Sequence, residues 1–132
     1  MPTLAGFNSG RDIEARRSAG LIDDQAYQAQ FDTRTEENQR LAEVLRGTGH
    51  PDDPIGFLLS TPSELAIINQ EDLTKELQQQ NLPGTTWQYP NWSRKMRFAV
   101  EELRTEKIAQ DFTTMFRHWV ERTGRGNGAR GR

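Results

Sequence analysis

The chain has 132 residues, of which 33% are hydrophobic and 27% are charged. With a mean hydropathy of −0.86 its hydrophobic core should be thin, so it forms either a small helical domain or part of a larger structure. A net charge of −2 creates no field that attracts nucleic acid or an anionic membrane, and we expect neither partner. The absence of cysteines and of long apolar runs excludes disulfides, thiolate metal sites and membrane spans, which indicates a cytoplasmic protein.

The N-terminal third of the chain predicts two helices of unequal length. Residues 1–10 carry no start signal for a helix or a strand and are expected to form a loop. Asp12 is suited to cap a short helix, and Asp23 to cap a longer one whose C-cap is Gly47. Because residues 32–40 are nearly all polar, the longer helix needs a neighbouring element to hold it.

The middle of the chain predicts a short helix and then a strand. Residues 47–54 have the composition of a turn, and Ile55–Leu59 are typical of a short buried helix. The sequence TPSE at 61–64 resembles a capping box, whereas Leu65–Ile68 is an apolar run with two β-branched residues. One helical turn followed by a strand satisfies both signals. An uninterrupted apolar strand is typical of a parallel sheet, so its partner strands must come from elsewhere.

The segment 81–95, NLPGTTWQYPNWSRK, combines two prolines and a glycine with three aromatic residues. It predicts an irregular loop, called the aromatic loop below, whose first turn presents backbone amides and the Asn81 amide to neutral hydroxyl groups. The aromatic residues Trp87, Tyr89 and Trp92 could stack on sugar rings or fasten the loop to its scaffold. On general grounds we favour the second interpretation.

The last helix is the clearest in the sequence. The spacing of its apolar residues predicts an amphipathic helix over Glu106–Arg122 that ends at Gly124. Residues 124–132 are predicted to be a disordered tail. The arginines of this tail lack interleaved aromatic residues, so we do not expect it to bind RNA.

Two clusters of titratable residues are better explained by structure than by chemistry. His50, Asp52 and Asp53 could suggest a metal site, but the setting HPDDP with a single imidazole is typical of a turn. His118 lies next to the apolar face of the last helix without a serine or cysteine motif, so no nucleophilic site is predicted there.

Glu71 and Asp72 directly follow the predicted strand, the position where carboxylates form barrel active sites. Adjacent residues of an extended chain point in opposite directions, so the two cannot readily converge on one bond as a glycosidase pair does. The favoured alternative is that Asp72 caps a short helix over Leu73–Leu77. Both residues are kept as weaker candidates for substrate binding.

The aromatic loop also resembles a family signature. LPGTTWQYPNWSRK at 82–95 is similar to the LPGT…YPNW-x-RK motif of the 4-α-glucanotransferases, the amylomaltases or disproportionating enzymes of glycoside hydrolase family 77. PTLAGF…GRDIEARRSAGL at 2–21 resembles the family segment that follows a Thr-His-Asp motif, and TPSELAIINQEDL at 61–73 resembles its last barrel strand. The resemblance covers about residues 2–103 and departs at Asn8, where the family often has tryptophan.

This resemblance implies a mostly α-helical chain with one or a few short strands, forming the C-terminal portion of a (β/α)8 TIM barrel. Residues 1–103 would run from after the seventh strand through the eighth strand and the substrate loop. Residues 104–123 would form the amphipathic helix, and 124–132 the tail. The family transfers α-1,4-glucan segments between maltooligosaccharides by a retaining double displacement, without a cofactor or metal.

The resemblance also implies which residues act. The family's aspartate nucleophile and glutamate acid/base, and the aspartate of Thr-His-Asp, would all precede Pro2, so we expect no catalytic residue here and an inactive chain. Asn81 matches a family residue that contacts the glucan near the cleavage point and is the first candidate for substrate binding, ahead of Glu71 and Asp72. The expected partners are the α-1,4-glucan and an N-terminal barrel fragment. The alternative function is a stand-alone helical module that binds glucan or a protein.

Overall fold

The computed structural model of the chain describes residues 2–125, and the regular elements in this range are helical. They are α1 (Leu4–Ser9), α2 (Arg11–Ser18), α3 (Asp24–Gly47), α4 (Pro54–Ser60), α5 (Gln70–Leu73), a 3₁₀ turn (Glu102–Arg104) and α6 (Lys107–Thr123). Within this range no helix combines the length and the hydropathy that a membrane span requires. The mostly α-helical fold class is therefore confirmed.

The expectation of an N-terminal loop was wrong, because α1 forms there. Thr3 is its N-cap, and the Thr3 hydroxyl accepts a hydrogen bond of 2.9 Å from Gly6 N. Gly10 ends α1 in the left-handed region, with φ of 73°, and is also the N-cap of α2. Asp12 therefore lies inside the first turn of α2 and is not its cap. A helix of six residues is too short to show a periodic pattern, which is why the sequence did not reveal it.

Asp12 instead joins α2 to α3 through a buried ion pair. Arg34 of α3 donates from Nη1 to Asp12 Oδ1 at 2.8 Å and from Nη2 to Asp12 Oδ2 at 3.0 Å. Asp12 and Arg34 are only 6% and 7% exposed. Burial opposes ionisation of Asp12, but hydrogen bonds and charges from Arg34 and Arg16 together outweigh it and lower the pKa of Asp12. This pair supplies the neighbour that the polar middle of α3 requires.

The prediction of a long helix capped by Asp23 is confirmed by α3, but its C-cap is Thr48, and Gly47 is its last helical residue. The Asp23 carboxylate accepts a hydrogen bond of 2.8 Å from Ala26 N, as an N-cap does. Arg34 also connects α3 to α1, since its Nη1 donates to Phe7 O at 2.6 Å and its guanidinium lies 3.7 Å from the centre of the Phe7 ring. The three N-terminal helices are thus joined at one arginine.

Helices α4 and α6 pack against each other, apart from the group formed by α1, α2 and α3. Both helices were predicted. Asp53 caps α4 by accepting a hydrogen bond of 2.7 Å from Gly56 N, and its other oxygen accepts one of 2.6 Å from Trp119 Nε1 of α6. Gly56 allows this close approach, because a Cβ built on it would lie 2.3 Å from the Trp119 indole. Helix α6 ends at its C-cap Gly124, whose φ of 72° lies in the left-handed region.

The predicted strand at Leu65–Ile68 is absent from the described residues, so this part of the predicted fold was wrong. The segment has no regular secondary structure, and Leu65 is 75% and Ile67 is 73% exposed. A strand exists only when a second segment pairs with its backbone, and residues 2–125 contain no strand that could do so. The residues of the capping-box pattern at 61–64 form no helical turn either. That the chain is part of a (β/α)8 barrel stays a prediction.

Most of the predicted tail lies outside the described residues, which include only Gly124 and Arg125 of it. Arg125 donates from Nε to Leu59 O at 2.6 Å and from Nη2 to Thr61 O at 2.7 Å. These bonds satisfy carbonyl groups at the C-terminal end of α4 and hold the end of α6 beside it.

The ion pair between α2 and α3 predicts a pH-dependent loss of stability in Asp12→Asn. At neutral pH this variant should lose about 3–5 kcal/mol of unfolding free energy, because Arg34 stays buried without its carboxylate partner. Since the folded-state pKa of Asp12 is lowered, the contribution is present above the unfolded-state pKa of about 3.9 and is lost as the pH falls through the folded-state value.

Urea unfolding followed by circular dichroism, at pH values from 7 down to 3, checks this expectation. The difference between wild type and Asp12→Asn should shrink in the acid range. Asp24→Asn is the control, since the Asp24 side chain is 83% exposed although it pairs with Arg17. A difference that stays constant with pH would contradict the role given to the carboxylate charge.

The contact between α4 and α6 predicts that Gly56→Ala destabilises the chain. The added methyl overlaps the Trp119 indole, so we expect a loss of about 1–3 kcal/mol and a weaker near-UV circular dichroism signal from fixed tryptophan. Gly47→Ala is the matched control, because a Cβ at Gly47 meets no atom within 4 Å and alanine favours the helix. Equal melting temperatures for Gly56→Ala and Gly47→Ala would exclude the proposed close packing.

Candidate functional site

A cavity of about 220 Å³ lies between α5 and the aromatic loop, with the start of the chain at Pro2 and Thr3 closing one side. The other lining residues are polar or aromatic: Asn69, Glu71, Gln79, Gln80, Asn81 and Trp92. Two of the three residues predicted to bind substrate, Asn81 and Glu71, therefore line the same cavity. The third, Asp72, is not among the residues that line it.

The aromatic loop is closed on itself by the side chain of Asn91. Its Oδ1 accepts a hydrogen bond of 2.8 Å from Leu82 N, and its Nδ2 donates to Thr85 Oγ1 at 3.0 Å and to Thr86 O at 3.2 Å. One amide side chain thus satisfies groups on the far side of the loop. The sequence reasoning did not single out Asn91, although an asparagine next to a proline is a recognised turn residue.

Tyr89 and the backbone of Trp92 fix the loop to the segment that precedes Asn81. The Tyr89 ring is 6% exposed, and its hydroxyl donates to Gln79 O at 2.6 Å. Trp92 N donates to Gln80 O at 2.8 Å. Because both acceptors directly precede Asn81, these two bonds fix the position of Asn81 at the wall of the cavity.

The three aromatic side chains of the loop have different surroundings. Tyr89 is buried within this chain, as an anchor should be, whereas Trp87 is 87% and Trp92 is 75% exposed. The expected anchoring is therefore found for Tyr89. Packing of the two tryptophans against the rest of a barrel stays a prediction.

Asp72 holds the N-terminal end of α1. Its Oδ1 accepts a hydrogen bond of 2.6 Å from Leu4 N, and Asn69 Nδ2 lies 3.4 Å from its Oδ2. The prediction that it caps a helix over Leu73–Leu77 was wrong, because α5 spans Gln70–Leu73 and contains Asp72. The unpaired amides at the start of α1 attract the carboxylate, and a contact between residues so distant in sequence leaves no local signal.

The turn interpretation of the segment from His50 to Asp53 agrees with the structure. Residues 51 and 52 form a turn. The His50 ring lies 4.9 Å from the ring of Trp119, and His50 Nε2 is 3.0 Å from Ser60 Oγ. Asp53 is used by α4 and by Trp119, as described above. Across residues 2–125 no three histidine, aspartate or glutamate side chains are grouped so that they could hold a metal ion.

The cavity is suited to a neutral, hydroxylated ligand. Amide groups both donate and accept hydrogen bonds, a carboxylate accepts them from hydroxyl groups, and an exposed indole offers a flat apolar face. The volume is below the range of about 300–1,000 Å³ that drug-sized ligands occupy. The lining therefore offers hydrogen-bond donors, hydrogen-bond acceptors and a flat apolar face in a small space.

Comparison with known proteins assigns the chain to a particular family. The family model described as 4-alpha-glucanotransferase matches residues 1–101, so the chain belongs to the 4-alpha-glucanotransferase family. The chain is 29% identical over 103 residues to 4-alpha-glucanotransferases of Mycobacterium bovis and of Mycobacterium tuberculosis strain CDC 1551, and the aligned region covers 70% of this chain. The same region spans only 14% of each relative. No solved structure matches significantly.

The bond between Tyr89 and Gln79 predicts that Tyr89→Phe loosens the loop. The variant leaves the buried Gln79 carbonyl without its donor, so it should lose about 1–3 kcal/mol of unfolding free energy. Amide hydrogen exchange at Leu82 and Trp92 should become faster than in the wild type. Tyr27→Phe, in α3, is the control and should leave exchange in the loop unchanged. Unaltered exchange in Tyr89→Phe would show that Tyr89 does not hold the loop.

Proposed function

We propose that this chain is the C-terminal part of a cytoplasmic 4-alpha-glucanotransferase that transfers α-1,4-glucan segments between maltooligosaccharides by a retaining mechanism. Membership of the family supports the reaction class. Because the chain spans 14% of the length of the curated relatives, the transfer activity belongs to a longer protein. Within it, this chain contributes part of the substrate-binding surface.

The observation that carries the proposal is that Asn81 and Glu71 line one cavity. The Asn81 amide can donate to and accept from sugar hydroxyl groups, and the Glu71 carboxylate can accept from a hydroxyl group. Asp72 contributes indirectly, because its hydrogen bonds hold α1 and Asn69 beside the cavity. We therefore assign glucan contact to Asn81 first and to Glu71 second, and a supporting role to Asp72.

The same cavity argues that this chain alone does not catalyse transfer. A retaining mechanism needs two carboxyl groups about 5–5.5 Å apart, one as nucleophile and one as acid/base. Among the described residues, Glu71 is the one carboxylate that lines the cavity. Glu71 alone can bind a hydroxyl group, but it cannot be both the nucleophile that forms a glycosyl-enzyme intermediate and the acid/base that protonates the leaving sugar and then activates the acceptor hydroxyl group.

An N-terminal barrel fragment is the proposed protein partner. Leu65 and Ile67 are exposed in the segment over residues 65–68. In a strand these two residues would share one side, because they are two residues apart. An exposed apolar segment of this kind is suited to pair with neighbouring strands. The resemblance of residues 61–73 to the last barrel strand of the family supports strand pairing as the mode of association.

The proposal predicts that the isolated chain binds maltotriose but does not convert it. Incubation with maltotriose should yield neither shorter nor longer glucans by chromatography, because a retaining mechanism needs two carboxyl groups and, among the described residues, one lines the cavity. Titration by NMR chemical shifts should show maltotriose binding, and Asn81→Ala should weaken it about two- to tenfold, the value of one hydrogen bond. Asn8→Ala, in α1 and outside the lining of the cavity, is the matched control.

Two results would contradict this proposal. Redistribution of maltotriose by the chain alone would show that it carries its own catalytic groups. Equal binding by wild type and Asn81→Ala would remove Asn81 from the binding surface.

A glucan-binding module is the second candidate, and it rests on the fact that residues of this chain alone line the cavity. A mixture with an N-terminal fragment of the Mycobacterium tuberculosis relative separates the two functions. Restored transfer activity would favour the enzyme part, whereas glucan binding without restored transfer would favour the module.

A further inference from the structure

Two residues of the cavity are left unexplained by the roles of Asn81 and Glu71. Gln79 lines the cavity and is 5% exposed, yet its Oε1 has no hydrogen-bond partner within residues 2–125. A buried acceptor without a donor is unfavourable and rare in folded proteins. Oε1 is closed off from solvent, so a rotation of the Gln79 side chain towards the cavity would let a ligand hydroxyl group supply the missing donor.

The backbone conformation of Trp92 is the second unfavourable feature at the cavity. Its φ of 57° lies in the left-handed region, which bulky residues seldom adopt and which glycine or asparagine would occupy with less strain. Its indole is 75% exposed, so burial within the chain does not offset this cost. Backbone strain that packing does not require is concentrated at functional sites, and Trp92 lines the cavity beside Asn81.

Trp87 provides the comparison within the same loop. It is even more exposed, at 87%, but it is not one of the residues that line the cavity. It is also not among the non-glycine residues with positive φ. Exposure alone is therefore not what distinguishes Trp92. Trp92 is distinguished by its position at the cavity and by its backbone conformation.

We propose that Trp92 and Gln79 form a sugar subsite next to Asn81. The Trp92 indole stacks on the apolar face of one glucosyl ring, and Gln79 Oε1 accepts a hydrogen bond from a hydroxyl group of that ring. The cavity volume of about 220 Å³ suits one ring and not a longer segment. The assignment rests on the proposed function for the identity of the sugar, and it adds two residues that determine how tightly and in which orientation the sugar binds.

The first test is maltotriose titration of Trp92→Asn, monitored by NMR chemical shifts. The affinity should fall on the order of tenfold, because the stacking face is lost. The melting temperature should stay the same or rise, because asparagine tolerates a positive φ. A packing residue would behave in the opposite way, with a lower melting temperature and unchanged affinity, and that result would overturn the proposal.

Tryptophan fluorescence provides a second readout with a matched control. Maltotriose should change the emission of the wild type and of Trp87→Asn, and this change should be absent from Trp92→Asn. A response that follows Trp87 instead of Trp92 would overturn the assignment of the stacking residue.

Gln79→Met keeps the proposal testable if Trp92→Asn fails to fold. Methionine has a similar length and no unpaired acceptor, so the melting temperature should be equal or higher while maltotriose affinity falls about two- to tenfold. Unchanged affinity would overturn the role of Gln79.

The outcomes separate this inference from the proposed function. If maltotriose binds to the wild type and is weakened by Asn81→Ala but not by Trp92→Asn or Gln79→Met, the proposed function stands and the subsite is overturned. If maltotriose does not bind to the wild type, glucan recognition by this cavity is overturned, and the subsite with it.

Discussion

The buried ion pair between Asp12 and Arg34 holds the N-terminal half of the molecule together. Arg34 lies in the polar middle of α3, where no apolar stripe is available for packing, and it bonds both Asp12 of α2 and the Phe7 carbonyl of α1. Leu4 N at the start of α1 donates a hydrogen bond to Asp72 of α5. The position of α5 therefore depends indirectly on the same ion pair. Glu71, which lines the cavity, belongs to α5. A charge contact between residues that do not line the cavity therefore contributes to its shape.

The opposite wall of the cavity is built by hydrogen bonds instead of by a hydrophobic core. Asn91 closes the aromatic loop internally, and the Tyr89 hydroxyl attaches the loop to the carbonyl of Gln79, two residues before Asn81. Such bonds are directional and specify one loop conformation, whereas apolar contacts alone would allow several. The fixed loop leaves the Trp92 backbone in a strained conformation with its indole exposed at the cavity.

The chain belongs to the 4-alpha-glucanotransferase family, and its composition is polar. The chain corresponds to 14% of the length of its curated relatives. In a barrel enzyme, an apolar strand is buried by its neighbours on both faces. Here Leu65 and Ile67 remain exposed, because no strand within residues 2–125 covers them.

By itself the sequence determined the elements whose signals are local. Asp23 caps α3, the spacing of apolar residues predicts α6, and Gly124 ends it, since each of these effects acts within one or two turns of helix. The motif of the aromatic loop also identified the family without reference to any fold. Only the tertiary structure decided that Asp12 pairs with Arg34 instead of capping a helix.

The tertiary structure also decided the features that depend on contacts between residues distant in sequence. It showed that Asp72 holds α1, that residues 65–68 form no strand without a partner, and that Gln79 and Trp92 join Asn81 at one cavity. Each of these depends on groups distant in sequence, whose approach is governed by packing and hydrogen bonding of the whole chain. No local pattern encodes such an approach, because the same residue types satisfy either a local or a distant partner.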